Sequence, residues 1–262
     1  GLWPLLNPNL GRAITLADMQ EQFQDAVDKH EGELRIWASQ HLNVQIGMAL
    51  AAAGWAGAEF WERRADKELT LDSLMDRSEV CTVGIDGGGL DDLLGLAVLG
   101  RDRATGEKLV WTHAWAHPSV LERRKSESER FADFERDGDL TLVEQIGQDV
   151  DEVAEIVATV ERAGLLDKVG VDPAGLGGVL DALEAAGVPK EKVVGISQGW
   201  KLSGSIKTAE RWLAGGEMVH GGQPLMAWCV GNAKVVPVGS AANITKQASG
   251  TAKIEPLMAL LT

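Results

Sequence analysis

The feature that most constrains this fold is a change of sequence pattern at Val80. Before it, apolar residues recur at helical spacing, whereas from Val80 onward the apolar residues form short runs that favour strands. The first run, residues 80–85, is rich in β-branched residues and ends at Asp86. Two further apolar runs, 93–99 and 108–115, follow it closely. This order predicts three strands that begin a sheet.

Beyond these runs, helical and strand patterns alternate along the chain. An amphipathic helix pattern opens near Asp149, and a strand pattern at 168–171 ends at Asp172. A helix is expected over 176–186 and another strand over 192–196. Three strands followed by alternating helices and strands predict an α/β domain built on a central sheet.

The N-terminal part carries no strand pattern. Thr15 and Asp18 have the spacing of a helix capping box, and apolar residues follow at helical intervals. A charged stretch, 62–79, is typical of a connector. The sequence therefore predicts a helical linker region over residues 1–78 and a sheet domain over 79–262.

The balance of charge restricts how such a chain could handle nucleic acid. It has 25 Lys and Arg against 39 Asp and Glu, a net charge of −14, which argues against binding DNA through one general basic surface. Binding through bound cations remains open. Residues 200–254 have the opposite balance of charge, with six basic and two acidic side chains and a local charge of +4. The candidate phosphate contacts in this segment are Lys201, Lys207, Lys246 and Lys253.

Cysteine content and hydropathy bear on location. Cys81 and Cys229 are too few and too distant in sequence for a disulfide framework, which favours a reducing intracellular setting. The sequence contains no run of 18 apolar residues and does not start like a signal peptide. We therefore expect a cytoplasmic protein with no membrane partner.

Four carboxylates carry the candidate chemistry. Asp86 and Asp172 each follow a strand and precede a glycine-containing turn, at the strand ends where α/β sheets gather ligands. Asp92 lies across the turn from Asp86, and Glu255 precedes Pro256 at a predicted helix start. Each residue alone has a simpler structural interpretation, as a turn or cap residue. As a set they are hard oxygen ligands suited to Mg²⁺ or Mn²⁺, and two such ions can promote phosphodiester hydrolysis.

Residues 83–262 resemble the nuclease domain of the large terminase subunits of tailed phages. The stretch 7–11 and the helices after it are similar to the segment that joins the ATPase and nuclease domains of that family. The matching residues of the second part are Gly84-Ile85-Asp86 with Asp92, Val169-Gly170-Val171-Asp172-Pro173, Gly216-Glu217-Met218-Val219-His220, Ala227-Trp228 with Asn232, and Lys246 ahead of Lys253-Ile254-Glu255-Pro256-Leu257-Met258-Ala259-Leu260.

The resemblance implies a ribonuclease-H-like fold, in which helices flank a mixed central sheet, with an N-terminal helical extension. It implies a metal-dependent endonuclease that cleaves double-stranded phage DNA concatemers during genome packaging, using two Mg²⁺ or Mn²⁺ ions and little sequence specificity. The expected location is the host cytoplasm. The expected partners are double-stranded DNA and, for the full protein, the phage portal protein and the small terminase subunit.

The resemblance also assigns roles to individual residues. Asp86 and Asp172 match the first two catalytic carboxylates of the family, and Asp92 matches an acidic position near the metals. Glu255 stands where the family usually has Asp, so a carboxylate is kept but its extra methylene could move a ligand by about 1 Å. Lys246 matches a basic residue that often precedes the last carboxylate. The expected metal ligands are Asp86, Asp92, Asp172 and Glu255.

Two other interpretations stay open at this point. Residues 84–89 also resemble the first phosphate loop of sugar kinases and actin, and residues 174–178 are rich in glycine. A non-catalytic module that docks on a phage portal is the other alternative. No Gly-x-x-x-x-Gly-Lys-Ser/Thr motif occurs, so the ATPase motif of the terminase motor is absent and we expect a fragment that begins near the end of the motor domain.

Overall fold

The structure is a computed structural model that describes residues 15–29, 37, 54–89, 92–123, 127–173, 177–239, 241–246 and 252–262. The chain divides into two compact units, Gly1–Gly54 and Trp55–Thr262. The predicted division at residue 78 stays a prediction. The stretch 7–11 and residues 174–176 of the glycine-rich segment lie outside the described residues.

The first unit contains helix α1, Leu16–Lys29. Its start is the predicted capping box: the backbone N–H of Asp18 donates to Thr15 Oγ1 at 3.1 Å, and the backbone N–H of Thr15 donates to Asp18 Oδ2 at 3.1 Å. Phe23 packs against Trp37 with ring centroids 4.9 Å apart. The helix predicted after Thr15 is therefore confirmed.

The second unit is built on a mixed sheet of seven strands with the order β4-β3-β2-β1-β5-β6, in which β7 also pairs with β3. A separate hairpin is formed by β8 and β9. The strands are β1 (Ser78–Gly87), β2 (Leu94–Asp102), β3 (Lys108–Ala116), β4 (Leu140–Leu142), β5 (Leu166–Val171), β6 (Val193–Gly195), β7 (Met218–His220), β8 (Ala233–Val238) and β9 (Ala241–Lys246).

Helices and short 3₁₀ turns connect these strands. The turns are Glu62–Arg64, Lys190–Lys192 and Gly199–Leu202. The helices are α2 (Ala58–Trp61), α3 (Leu71–Arg77), α4 (Ser119–Arg123), α5 (Ser128–Arg136), α6 (Gln148–Arg162), α7 (Gly177–Ala185), α8 (Ser203–Gly215), α9 (Pro224–Asn232) and α10 (Glu255–Leu261). Among the described residues, no helix combines the length and the apolar character needed to cross a bilayer.

Strand direction brings two chain segments to one edge of the sheet. β1, β2 and β3 are antiparallel neighbours, whereas β5 runs parallel to β1 and β6 runs parallel to β5. Ile85 of β1 pairs with Val171 of β5, so Asp86 and Asp172 follow at the same edge. The mixed α/β fold predicted from the sequence is confirmed.

The two faces of the central strands are covered differently. Val83, Ile85 and Val169 join a buried cluster that includes Val153 and Val157 of α6. Because side chains alternate along a strand, Gly84 and Asp86 point to the opposite face. That face is covered by α10, which contacts both β1 and β2. One face of the sheet therefore packs into the core, and the other face packs against α10, the helix that begins with Glu255.

Glycines allow α10 to lie directly on the sheet. A Cβ atom added to Gly84 would come 1.8 Å from the carbonyl oxygen of Ala259, and one added to Gly95 would come 2.6 Å from the carbonyl carbon of Glu255. A Cβ on Gly170 would come 2.6 Å from the carbonyl oxygen of Thr262. Only glycine permits these backbone approaches, so the three positions determine where α10, and with it Glu255, lies.

Some sequence-based predictions need correction. The charged composition of residues 119–136 predicts one exposed helix, but the structure has two helices there, α4 and α5, and Phe131 and Phe134 of α5 are buried. These two aromatic side chains face the protein, whereas the charged residues of α5, among them Arg130, Asp133 and Arg136, are exposed, so the helix is amphipathic. The last helix begins at Glu255 itself, one residue earlier than predicted, with Ile254 at the N-cap position.

Candidate metal centre

A cavity of about 440 Å³ lies at the carboxyl ends of β1 and β5. All four predicted carboxylates line it, and one of the predicted lysines does so as well. The lining residues are Asp86, Gly87, Gly88, Gly89, Asp92, Asp172, Lys246, Ile254, Glu255 and Met258. The structure therefore brings together residues that the sequence holds far apart.

A glycine turn carries the chain from Asp86 to Asp92. Gly87 and Gly88 have φ angles of 92° and 107°, in the left-handed region that favours glycine. The backbone N–H of Gly88 donates to the carbonyl of Leu93 at 3.0 Å, which closes the turn. A Cβ on Gly87 would lie 3.0 Å from Cγ of Glu255. The turn thus holds Asp86 and Asp92 at one cavity and leaves room for the Glu255 side chain.

Two ammonium groups contact two of the carboxylates. Lys246 Nζ lies 2.8 Å from Asp92 Oδ2 and also forms an ion pair with Glu255 Oε1. Lys253 Nζ forms an ion pair with Asp92 Oδ1. The Lys246 side chain is 39% exposed and the Lys253 side chain is 0% exposed. One lysine therefore lies at the rim of the cavity and the other is an internal counter-ion.

The carboxylates differ in their affinity for protons. Burial, followed by repulsion from Asp172, raises the pKa of Asp86 to about 7. Burial, followed by the neighbouring Asp92, raises the pKa of Glu255 to about 8. Burial acts on Asp92 in the same sense, but hydrogen bonds from Glu255, Lys246 and Lys253 hold its pKa well below the usual range. Asp86 is therefore largely protonated below about pH 7, whereas Asp92 stays ionised.

Sequence reasoning missed one residue at this site. The Nε2 group of Gln198 donates to Asp86 Oδ1 at 3.1 Å and to Thr262 Oγ1 at 3.1 Å. Gln198 lies in the segment that follows β6, at the same edge of the sheet as Asp86. The only sequence signal for it is this position after a parallel strand, because an isolated glutamine in a loop has no pattern.

The predicted DNA-contacting lysines are distributed unevenly. Lys246 lines the cavity, while Lys201 in the Gly199–Leu202 turn and Lys207 in α8 are exposed and outside its lining. Lys253 is fully buried against Asp92, so the geometry favours a role as counter-ion over contact with a phosphate. The assignment of these lysines to DNA stays a prediction.

Comparison with known proteins identifies the family. The family model described as "Terminase large subunit, endonuclease domain" matches residues 1–262. This chain belongs to the terminase large subunit endonuclease family. The family predicted from the residues around Asp86, Asp172 and Glu255 is thereby confirmed.

Several individual proteins resemble this terminase endonuclease domain. Protein YmfN of Escherichia coli (strain K12) is 25% identical over 242 residues, which cover 88% of this chain and 51% of YmfN. The crystal structure of the HK97 bacteriophage large terminase has a TM-score of 0.62 at 21% identity and covers 99% of this chain and 52% of its own. The large terminase nuclease from thermophilic phage G20c with bound magnesium has a TM-score of 0.44 at 14% identity, covering 75% of this chain and 96% of its own.

The terminase domain described here spans about half the length of YmfN and of the HK97 protein. The similarity to the HK97 structure concerns the fold: a mixed central sheet flanked by helices, as in ribonuclease-H-like nucleases.

The donor set of the terminase site suits a hard divalent cation. Carboxylate oxygens from Asp86, Asp92, Asp172 and Glu255 line the cavity, and no His or Cys side chain does. In the part of the chain that the structure describes, no three His, Cys, Asp or Glu residues are close enough to hold a metal ion. Lys246 forms ion pairs with Asp92 and Glu255. Asp86 and Asp172 repel each other, and a divalent cation bound beside them would relieve that repulsion. The residues fit the cation by donor type and by charge.

Proposed function

We propose that this chain is a divalent-cation-dependent endodeoxyribonuclease that cleaves double-stranded phage DNA concatemers during genome packaging. The observation that carries the proposal is the convergence of Asp86 and Asp172 at the ends of two adjacent parallel strands, in the same cavity as Asp92 and Glu255. Membership in the terminase endonuclease family supports the same activity.

In this proposal the carboxylates divide into two groups. Asp86 and Asp172 would hold one cation, and Asp92 and Glu255 would hold a second one once Lys246 moves away. Bound Mg²⁺ or Mn²⁺ supplies positive charge for the attacking and leaving oxygens of phosphodiester hydrolysis. Asp86 must release its proton before it acts as a ligand, because metal-ligating carboxylates are ionised.

The DNA backbone would approach from the side of the partly exposed Lys246. The ammonium group of Lys246 can exchange its ion pairs with Asp92 and Glu255 for contact with a phosphate. The exposed Lys201 and Lys207 would add contacts farther along the duplex. Contacts with phosphates carry no base information directly, so we expect little sequence specificity. In the full protein, the motor domain would deliver the DNA, and the expected partners in the host cytoplasm are the phage portal protein and the small terminase subunit.

Plasmid cleavage in Mn²⁺ tests the proposal. We expect Asp86→Ala and Asp172→Ala to lose most of the activity, because each removes a candidate cation ligand. Asp167→Ala is the matched control, since Asp167 is an exposed residue on β5, the strand that leads to Asp172. If both cavity variants cut the plasmid as fast as the parent, the site assignment is wrong.

A further inference from the structure

The side chain of Gln198 connects two parts of the candidate metal centre. Its Nε2 group donates to Asp86 Oδ1 and to Thr262 Oγ1, both at 3.1 Å. Thr262 Oγ1 in turn donates to the carbonyl oxygen of Met258 at 2.8 Å. Met258 belongs to α10, the helix that begins with Glu255. One amide group therefore links the end of β1 to the helix that carries another carboxylate of the cavity.

The chemistry of this donor differs from that at Asp92. Asp92 is held by the ammonium groups of Lys246 and Lys253, which compete with any other cation for its oxygens. Gln198 orients Asp86 with a neutral amide, which adds no positive charge of its own. Neutral groups that hydrogen-bond a ligating carboxylate fix its orientation and leave its charge available to a metal.

The other end of the amide gives a second, independent observation. The Oε1 atom of Gln198 is buried and, within the described part of the chain, has no hydrogen-bond partner. A buried acceptor without a partner disfavours the folded state. Stability alone therefore does not account for a glutamine at this position, whereas a function for its donor group does.

We propose that Gln198 is a positioning residue, which holds the Asp86 carboxylate and ties it to α10 so that Asp86 and Glu255 stay directed at the same cavity. The inference rests on the proposed function, because it assigns Gln198 a role at that same site. It adds a residue that carries no charge and does not line the cavity.

The test compares Mn²⁺ binding and DNA cleavage for three variants. Gln198→Met removes the donor at nearly constant size, and Gln198→Asn keeps the amide but shortens its reach. Gln223→Met is the matched control, because Gln223 is also half-buried and its Oε1 accepts from Thr112 N at 2.9 Å, away from the cavity lining. Mn²⁺ binding is measured without DNA by electron paramagnetic resonance, and folding is checked by thermal melting.

We expect Gln198→Met to weaken Mn²⁺ binding by about 10-fold or more and to lower kcat, while KM for plasmid stays within about twofold. Gln198→Asn should show a smaller loss of the same kind. Gln223→Met should melt at a lower temperature and bind Mn²⁺ like the parent. Parental Mn²⁺ affinity and kcat in both Gln198 variants would overturn the inference, as would an equal loss of affinity in Gln223→Met.

The two proposals fail in different ways. A parent chain that binds Mn²⁺ but never cuts DNA would contradict the proposed function, and the Mn²⁺ affinities of the variants would still decide the role of Gln198. A parent chain that binds no Mn²⁺ would overturn both proposals. A folded parent that cuts DNA, with Gln198→Met indistinguishable from it, would overturn the inference about Gln198 alone.

Discussion

At the scale of single residues, Lys246 and Lys253 contact the same carboxylate from very different surroundings. The Lys253 side chain is fully buried and pairs with Asp92, whose side chain is 31% exposed, whereas the Lys246 side chain is itself partly exposed. Removing Lys253 takes a fully buried ammonium group away from Asp92. Removing Lys246 leaves Asp92 paired with Lys253, and it leaves Glu255, whose pKa is raised to about 8, able to stay protonated. The two lysines should therefore respond differently to the same substitution.

We expect Lys253→Met to destabilise the protein by about 1–3 kcal/mol, because Asp92 keeps Lys246 as a partner, and Lys246→Met by about 1 kcal/mol or less. Lys246→Met should instead slow DNA cleavage, because the lysine at the cavity rim is the one placed to meet a phosphate. Urea unfolding gives the stabilities, and plasmid cleavage in Mn²⁺ gives the activities. Equal losses of stability would mean that the difference in burial has no energetic effect.

Asp86 predicts a dependence of stability on pH in the absence of metal. Burial and repulsion from Asp172 raise the pKa of Asp86 in the folded chain to about 7, from an ordinary aspartate value of 3.8, so the folded state binds the proton more tightly than the unfolded state does. Stability is therefore lost as pH rises across that range, and the loss is complete above about pH 7. Ionised Asp86 should then cost on the order of 2–4 kcal/mol.

Asp86→Asn should remove this penalty. In EDTA, the variant should gain stability relative to the parent between pH 5 and pH 8, and urea unfolding at the two pH values measures the gain. Asp167→Asn is the control, because Asp167 is exposed on β5. The same gain in the control, or no gain in Asp86→Asn, would contradict the assigned cause.

At the level of secondary-structure elements, the sequence predicted the long central strands and the short edge strand β6 but did not predict the short strands β4 and β7. β1, β2 and β3 contain nine or ten residues each, and their apolar runs can be recognised from the local sequence alone. β4 and β7 have three residues each and exist because they pair with β3. A pairing between distant segments leaves no local pattern, and this is why those strands were not predicted.

The candidate site shows the same division. Asp86 and Asp172 could be predicted because each follows a strand, and topology then joins them. Gln198 could not be predicted, since its contact with Asp86 depends on the tertiary path of a loop. The burial of Lys253 was equally unpredictable, because a lysine in a basic segment looks solvated until its partner Asp92 is seen beside it.

Helix α10 gives a prediction about packing. A methyl group on Gly95 would collide with the backbone at Glu255 and Pro256, 2.6 Å away, so Gly95→Ala must shift the helix. We expect a destabilisation of about 1–3 kcal/mol from overpacking and a clear loss of cleavage, because Glu255 moves with the helix. Melting temperatures and plasmid cleavage measure the two effects.

The matched control is Gly178→Ala in α7. Nothing lies within 4 Å of a Cβ atom at that position, and alanine favours a helix over glycine by about 0.5–1 kcal/mol. The control should therefore be neutral or stabilising and should cleave DNA normally. Normal cleavage by Gly95→Ala would show that α10 does not control the position of Glu255.

At the scale of the whole molecule, the net charge of −14 opposes the approach of DNA. In EDTA at physiological salt, we expect affinity for a duplex to be weaker than about 1 µM, because bound cations are not there to offset the acidic cavity. Fluorescence anisotropy with a labelled duplex measures it, and adding Mn²⁺ should tighten binding. Nanomolar affinity in EDTA would show that the protein has a basic surface sufficient to bind DNA without cations.

The glycines that lie beneath α10 are synthesised well before the helix that packs on them. The strands that hold Asp86 and Asp172 emerge from the ribosome first, and more than eighty further residues must follow before Glu255. At about 5–20 residues per second, several seconds separate the synthesis of β5 from that of Glu255. During that interval the nascent chain lacks Glu255, so under the proposed function its candidate cation site is incomplete and we expect the nascent chain not to cleave DNA.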